Sequence, residues 1–465
     1  MNDRPSRERK LRKGIEENAM KSNRSDTKAV FLCGGRGKRM FPIAEDKFLL
    51  DFLGKTLLEH QIEVACEAGL SHFVVIGNPE NIARIEQITK KIPGIKVDLA
   101  LQKKSLGIAD ALKSAEPFLH GQLLVINPND VFSSSAYTKI LSEAEKATAS
   151  SYILGYEVQK YFPGGYLQVN SQNELLHIVE KPTLGEEPSN LVNVLIHYHN
   201  NSEELFRHIE TVQTNRDDVY ECALDDMVKG GHKIKVVPYS DFWAPIKYPW
   251  HIFKVMEYFL DNAQPYIAPS ARISEKAAIE GKVILSDNVK VLENAVIRGP
   301  VYIGANSIIG NNALVRDYSH IGSNSVIGYS TEVKHSYIGD NCWFHSNYIG
   351  DSIVDDNCSL GAGTVLANFR LDEGYIQIKV GDSPVDTGYD KLGAIIGRGC
   401  RIGVNASLMP GVRVGSDSFV GPQVCLREDL GANKMILLDS RYEIEDNVAS
   451  LDEGKRQKLL RGLQS

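Results

Sequence analysis

At 465 residues, the chain has room for roughly three domains, and 43% hydrophobic against 24% charged residues marks a folded globular protein. A net charge of −7 argues against nucleic acid or an anionic membrane as partner, and no apolar run approaches the roughly 18 residues of a membrane span. Seven scattered cysteines with no C-x-x-C exclude zinc ribbons and redox motifs and suit reduced thiols in a cytoplasmic setting.

Residues 1–26 are charged and aromatic-free, with a basic cluster of Arg4, Arg7, Arg9, Lys10, Arg12 and Lys13. They read as a disordered or loosely helical arm. No apolar stretch follows it, so it is no secretory signal. A strand is expected over Lys28–Cys33, then Gly34-Gly35-Arg36-Gly37-Lys38-Arg39. Glycines straight after a strand let backbone N–H groups approach a phosphate, and Arg39 and Lys47 add positive charge beside it. A helix (Leu57–Ala68), a strand (His72–Ile76), a helix (Asn81–Lys90) and a strand (Val97–Leu101) follow. This alternation predicts a mostly parallel, doubly wound α/β sheet with its ligand at the strands' carboxyl ends.

Gln102 then follows a strand, and Gly107 opens a helix. The buried strand Leu123–Ile126 ends in Asn127-Pro128-Asn129-Asp130. A carboxylate at a strand end beside a phosphate loop is where a divalent cation would be held. Gly164-Gly165-Tyr166, Glu180-Lys181-Pro182 and Asn193 complete the set, and a helix over Trp250–Asn262 leads to a linker at Gln264-Pro265.

From Ile267 onward the chain is written in sixes. Ile267, Ile273, Ile279, Leu285, Val291, Ile297, Ile303, Ile309, Val315, Ile321, Ile327 and Val333 fall at every sixth position. The pattern resumes at Val354, Leu360 and Leu366, and again from Ile396 to Leu426. Such repeats wind into a parallel β-helix, three hexads per triangular coil, with one aliphatic side chain inward per side. Gly, Asn and Asp are expected to supply corners with positive φ. The register shifts at Ile338. The break encloses Lys334, His335 and the run Trp343-Phe344-His345-Ser346-Asn347-Tyr348-Ile349-Gly350-Asp351. Function is expected at such a break. Residues 370–393 leave the period and read as a loop projecting over a site. The tail, 431–465, is expected to carry either an amphipathic helix capping the solenoid or a frayed end.

The order of these motifs resembles the family of bifunctional glucosamine-1-phosphate acetyltransferases / N-acetylglucosamine-1-phosphate uridylyltransferases, over about residues 28–430. The resemblance implies an α/β doubly wound nucleotidylyltransferase domain (27–263) followed by a left-handed parallel β-helix (264–430). It implies that Gly34, Gly35 and Gly37 hold the nucleoside triphosphate, with Gln102 and Gly107 at the base. Arg39 and Lys47 would stabilise phosphate charge, Asp130 would bind Mg²⁺, and Gly165, Glu180 and Asn193 would hold the sugar. His345-x-x-Tyr348-x-Gly350-Asp351 matches the family's acetyltransferase motif. There His345 would be the general base, Lys334 and Tyr348 would bind the sugar phosphate, and Ala362 and Asn368 would orient the site or touch acetyl-CoA. UTP and acetyl-CoA are the implied co-substrates, and a cytoplasmic homotrimer the implied assembly.

The chain departs from the family in places. Asn129 stands where Gly usually precedes the metal carboxylate. In Trp243-Ala244-Pro245-Ile246-Lys247, Pro245 replaces the second metal ligand, which leaves Asp241 or Lys247 to substitute. Ser359 replaces an Asn. Two other readings stay open at this point: a sugar-1-phosphate nucleotidylyltransferase whose solenoid is only a trimerising or regulatory module, and a non-catalytic N-terminal nucleotide-sugar binding module with an active acetyltransferase.

Overall fold

The computed structural model describes residues 24, 26–35, 37, 39–214, 217–439, 443–450 and 452–463. The basic arm expected at the N-terminus lies almost wholly outside the described residues.

Strand β1 (Lys28–Leu32) is buried at the centre of a nine-stranded sheet. Its parallel neighbours are β2 (His72–Gly77) and β4 (Leu123–Ile126), and β3 (Lys96–Leu101) continues the parallel half. Helices α1 (Leu57–Glu67), α2 (Ile82–Thr89) and α3 (Gly107–Ala115) connect them. Thr56 and Glu59 close a capping box at the start of α1, which satisfies two backbone donors that a helix end leaves orphaned. Past β4 the sheet is mixed rather than parallel. A short strand β5 (Asp130–Phe132) leaves it, helix α4 (Ser134–Ala144) follows, and β6 (Ser151–Glu157), β7 (Gly165–Val169), β8 (Leu175–Glu180) and β9 (Leu191–His199) extend it. Strand β9 runs antiparallel to both β4 and β6. Helices α5 (Ser202–Thr211) and α6 (Val219–Lys229) precede β10 (Ile234–Tyr239), which pairs β6 in parallel. Strand β11 (Trp243–Pro245) then pairs β5, and α7 (His251–Asn262) leads out.

The remainder winds into a parallel β-helix of three long sheets. Its inward column is buried from Leu285 to Leu426. The first coil is the exception: Ile267 and Ile273 are exposed, because no coil precedes them to close the prism. The corners are turned by Asn and Asp with positive φ, among them Asn288, Asn306, Asn312, Asn324 and Asp417. Stacked corner amides pair along the prism: Asn288 Nδ2 donates to Asn306 Oδ1, and Asn306 Nδ2 to Asn324 Oδ1, both at 3.2 Å. Glycine after the aliphatic residue has a different role from the one expected. At Gly304 a Cβ would stand 2.5 Å from the backbone nitrogen of Ser323, so coil-to-coil approach, not positive φ, requires it.

The break is a run of shortened sides. Ile321 stacks on Ile338, Val333 on Ile349 and Phe344 on Leu360, each pair closer in sequence than a full eighteen-residue turn. Phe344 and Ile349 are inward residues that a strict count of six passes over.

Residues 370–393 are not a free loop. They contain a hairpin, β12 (Gln377–Val380) and β13 (Ser383–Asp386). Ile376 and Ile378 are buried in a core shared with Met40, Phe52, Trp250 and Phe253 of the N-terminal domain. Apolar surface on the insertion folds it back because burial is favourable. The tail forms helix α8 (Glu453–Leu463), yet Leu459, Leu460 and Leu463 are all exposed, so among the described residues these leucines do not cap the solenoid.

One solenoid face joins this interdomain core. Tyr302, His320 and Tyr337 stack with ring centroids 4.9 Å apart on each side of the imidazole. The Leu53 N–H donates to His320 Nε2 at 3.2 Å, and the Tyr337 hydroxyl to Asp51 O at 2.9 Å. His335 spans the domains, bonded to Glu257 of α7 and to Asp351 of the solenoid, 2.8 Å each. Burial alone would lower its pKa, but the bonds to Asp351 and Glu257 push it up to about 9. A value raised on folding adds stability that is complete below the unfolded value of about 6.5 and is lost as pH climbs through 9. The melting temperature is therefore expected to fall across that window. His335→Gln should flatten the decline, and an identical slope in the variant would remove His335 from the account.

Candidate active sites

The first constellation lies at the carboxyl ends of β1, β2 and β4, where an open α/β sheet presents its ligand. The glycine loop leaves β1 after Cys33, whose N–H is bonded to Ile76 O at 2.8 Å. Gln102 lies against the loop: a Cβ on Gly34 would come 2.0 Å from Gln102 Oε1. Gln102 Nε2 donates to Gly107 O (3.1 Å) and to the Asp110 carboxylate (2.9 Å), and the Ser105 hydroxyl to Gly34 O (2.7 Å). Gly107 has φ +91° and no room for a Cβ beside Asp217, so only glycine opens α3 there. Gly35 faces open space, and Gly35, Gly37, Lys47 and Asn129 line a cavity of about 110 Å³.

Lys47, Asp130 and Lys247 form one electrostatic cluster. Burial pushes Lys47 down to about 8, helped by Arg39 and opposed by Asp130. Burial pushes Asp130 up to about 6, against Lys247 and Lys47. Pro245 sits directly across the β5–β11 ladder from Asp130. Asp241 is no substitute for the missing ligand, because it is turned onto α4, where Ser135 donates to it at 2.6 Å. Lys247 is the residue that faces Asp130. Its ammonium donates to Pro163 O at 3.1 Å and lies 3.7 Å over the Phe162 ring. Among the described residues no three His, Cys, Asp or Glu gather as a metal cluster. Mg²⁺ commonly takes one or two carboxylates and completes its shell with phosphates and water, and a single Asp130 fits that pattern.

Glu180 and Gly165 are cross-strand partners on β8 and β7. A Cβ on Gly165 would come 2.9 Å from Glu180 Oε2 and 3.6 Å from Asn193 Cβ, so all three expected sugar residues meet. Behind Asn193 lies a buried relay that sequence reasoning missed. Ser151 Oγ is bonded to His199 Nδ1 (2.8 Å), His199 Nε2 to Tyr220 Oη (2.9 Å), Tyr220 Oη to His197 Nδ1 (2.9 Å), and His197 Nε2 to Asn193 Oδ1 (2.8 Å). Burial drives both imidazoles down, His199 to about 3. With both neutral, one donor direction satisfies every bond in the chain. It fixes the Asn193 oxygen inward and leaves its NH₂ for a ligand. The three β-strand residues at alternating positions, 193, 197 and 199, were the available signal.

The second constellation is built on the shortened corners of the solenoid. His345 is exposed at one of them, its carbonyl held by the Thr331 hydroxyl. The next coil's corner, 361–364, lies over it, with the Gly363 N–H bonded to Ser346 O at 2.8 Å. Ala362 is on that corner. Tyr329 and Trp343 are exposed close by, and Trp343 is stacked on Ser359 of the next coil. Asp351, almost fully buried, organises the rest. Lys334 Nζ donates to it at 3.0 and 3.2 Å, His335 is bonded at 2.8 Å, and Asn368 Nδ2 donates at 2.5 Å. Burial would raise Asp351, but the bonds from His335, Asn368 and Lys334 outweigh it and lower its pKa. Tyr348 and Asn368 converge over Gly350, where a Cβ would be 2.7 Å from Tyr348 Oη and from Asn368 Nδ2. The structure thus gathers Lys334, Tyr348 and Asn368 around Asp351, with His345 on the adjoining corner. Asp351 itself was quoted in the motif but not singled out.

Residues 28–246 match the family model described as nucleotidyl transferase. Residues 282–317 and 393–428 match bacterial transferase hexapeptide (six repeats). The chain is 36% identical to the bifunctional protein GlmU of Methanococcus maripaludis strain C7, over 88% of this chain and 96% of that one. It is 32% identical to a bifunctional sugar-1-phosphate nucleotidylyltransferase/acetyltransferase of Sulfurisphaera tokodaii, over 87% of this chain and 98% of the relative. A GlmU of Methanocaldococcus jannaschii is 30% identical, over 88% and 97% respectively.

Proposed function

The chain belongs to the family of bifunctional sugar-1-phosphate nucleotidylyltransferase/acetyltransferases, and from that premise we propose that it acetylates glucosamine 1-phosphate in its solenoid and transfers uridylyl from UTP to N-acetylglucosamine 1-phosphate in its sheet domain. What supports this most is that two separate residue sets, each scattered in sequence, converge: Gly34–Lys47–Asp130 with Gly165–Glu180–Asn193 on one sheet, and Lys334–Tyr348–Asn368 beside His345 on the prism.

In the sheet domain the sugar phosphate oxygen attacks the α-phosphorus and pyrophosphate leaves. Such a transfer needs positioning and charge neutralisation more than covalent help. Arg39 and Lys47 supply positive charge to the phosphates, and the glycine loop supplies N–H donors. Gln102 and Gly107 border the base, and Asn193 and Glu180 orient the sugar. Asp130 is the residue that would hold Mg²⁺, which offsets phosphate charge when bound. In the solenoid, unprotonated His345 takes the proton as the amine nitrogen attacks the thioester carbonyl, and CoA leaves as thiolate. Lys334 and Tyr348 hold the acceptor phosphate, while Asn368 and Ala362 shape the site.

Among the described residues no helix is long and apolar enough to cross a membrane. We place the enzyme in the cytoplasm, where UTP and acetyl-CoA are found, as a homotrimer with acetyl-CoA between neighbouring prisms. Exposed Tyr329 and Trp343 beside His345 suit such a covered groove. A panel of nucleoside triphosphates and sugar 1-phosphates, scored by pyrophosphate release, tests the substrate assignment. UTP with N-acetylglucosamine 1-phosphate should give the highest kcat/KM; a different pair at the top would replace it.

A further inference from the structure

The hairpin β12–β13 brings the solenoid back to the segment that follows the glycine loop. Ile376 and Ile378 share a buried core with Met40 and Ile43, and the Ser416 hydroxyl is bonded to Pro42 O at 3.4 Å. At this contact a cleft of about 360 Å³ opens. The sheet domain lines it with Arg39 and Phe41, the solenoid with Lys379, Gly381, Arg413 and Asp429.

The cleft's charges are unequal. Arg413 is committed: its guanidinium donates to Asp429 at 3.0 and 2.5 Å and to Lys379 O at 2.5 Å, and lies 5.2 Å over the Phe41 ring. That neutralises Asp429. Arg39 and Lys379 have no ion-pair partner among the described residues, and each comes from a different domain. The tip between them is a two-residue turn with Gly381 at φ +61°, a backbone that fixes the strands of a hairpin closely. Arg39 also acts on Lys47 and Lys247, so the cleft adjoins the phosphate-binding cluster instead of lying apart from it.

We propose that this interdomain cleft binds the diphosphate end of the nucleoside triphosphate, and the pyrophosphate it becomes, between Arg39 and Lys379 of the solenoid hairpin. The assignment rests on the nucleotidyl-transfer reading. As the sugar phosphate oxygen bonds to the α-phosphorus, the α–β bridging bond breaks and its electron pair leaves on pyrophosphate. The departing group gains negative charge, and a guanidinium and an ammonium without counter-carboxylates are suited to receive it. The insertion in the acetyltransferase prism thereby completes the other active site.

Titration calorimetry of pyrophosphate alone into the full-length protein, and of UTP and UMP separately, tests this. Lys379→Glu should weaken pyrophosphate and UTP at least tenfold, leave UMP unchanged, and raise the KM for pyrophosphate in the reverse reaction by a similar factor. Lys379→Arg should restore most of the loss. CoA release and melting temperature should match the parent protein, which controls for folding. Unchanged pyrophosphate affinity in Lys379→Glu would overturn the assignment while leaving nucleotidyl transfer intact. Lys379-dependent pyrophosphate binding without any nucleotide-sugar turnover would keep the cleft and sink the reading it rests on.

Discussion

Replacing His345 by Ala is expected to remove nearly all CoA release from glucosamine 1-phosphate and acetyl-CoA, a loss of about 10²–10⁴-fold. Pyrophosphate release from UTP and N-acetylglucosamine 1-phosphate should stay at the parent rate. The amine of the acceptor is mostly protonated near neutrality, so a proton acceptor beside it is what the reaction lacks without the imidazole. Because His345 is exposed at a corner and its ring supports no core contact, truncation should not disturb the prism. Equal CoA release by the variant and its parent would show that another group takes the proton.

Lys47→Ala should do the converse. Nucleotidyl transfer is expected to drop about 10²–10³-fold, as for loss of one preorganised charge donor, with CoA release untouched. Lys47 is half-buried near Asp130 and Arg39, and loss of water around it already pushes its pKa down to about 8. An arriving polyphosphate favours the charged ammonium further, because opposite charge close by stabilises it. A loss confined to KM, with kcat unchanged, would assign Lys47 to ground-state binding only.

Much of the solenoid could be read directly from its spacing, because each inward residue is set by a local rule: one aliphatic side chain per side, one turn residue per corner. The rule also marked where it failed. It did not show that Phe344 and Ile349 carry the column through the break, since the steps from Val333 to Ile338 and from Phe344 to Ile349 are each one residue short and a count of six carried on from Val333 misses both. That Asp130 lies near Lys47, and that Gly165, Glu180 and Asn193 meet, was legible because strand-end motifs keep their order along the chain. The relay behind Asn193 was not, because Ser151, His199, Tyr220 and His197 meet only after two strands and a helix pack together. The domain contact escaped for a related reason. Tyr302, His320 and Tyr337 occupy outward positions of the coils, where a solvated face is the ordinary expectation, and only an aromatic at the same place in three consecutive coils hinted otherwise. The hairpin's role is equally non-local: Ile376 and Ile378 look like loop residues until Trp250 and Phe253 cover them.

The most direct measurement supplies glucosamine 1-phosphate, acetyl-CoA, UTP and Mg²⁺ together and follows CoA and pyrophosphate in the same tube. Two linked activities in one chain predict that CoA appears first, that pyrophosphate follows without exceeding it, and that pyrophosphate is absent when acetyl-CoA is withheld. Release of either product with no trace of the other, under conditions where both substrates are intact, would contradict a bifunctional enzyme.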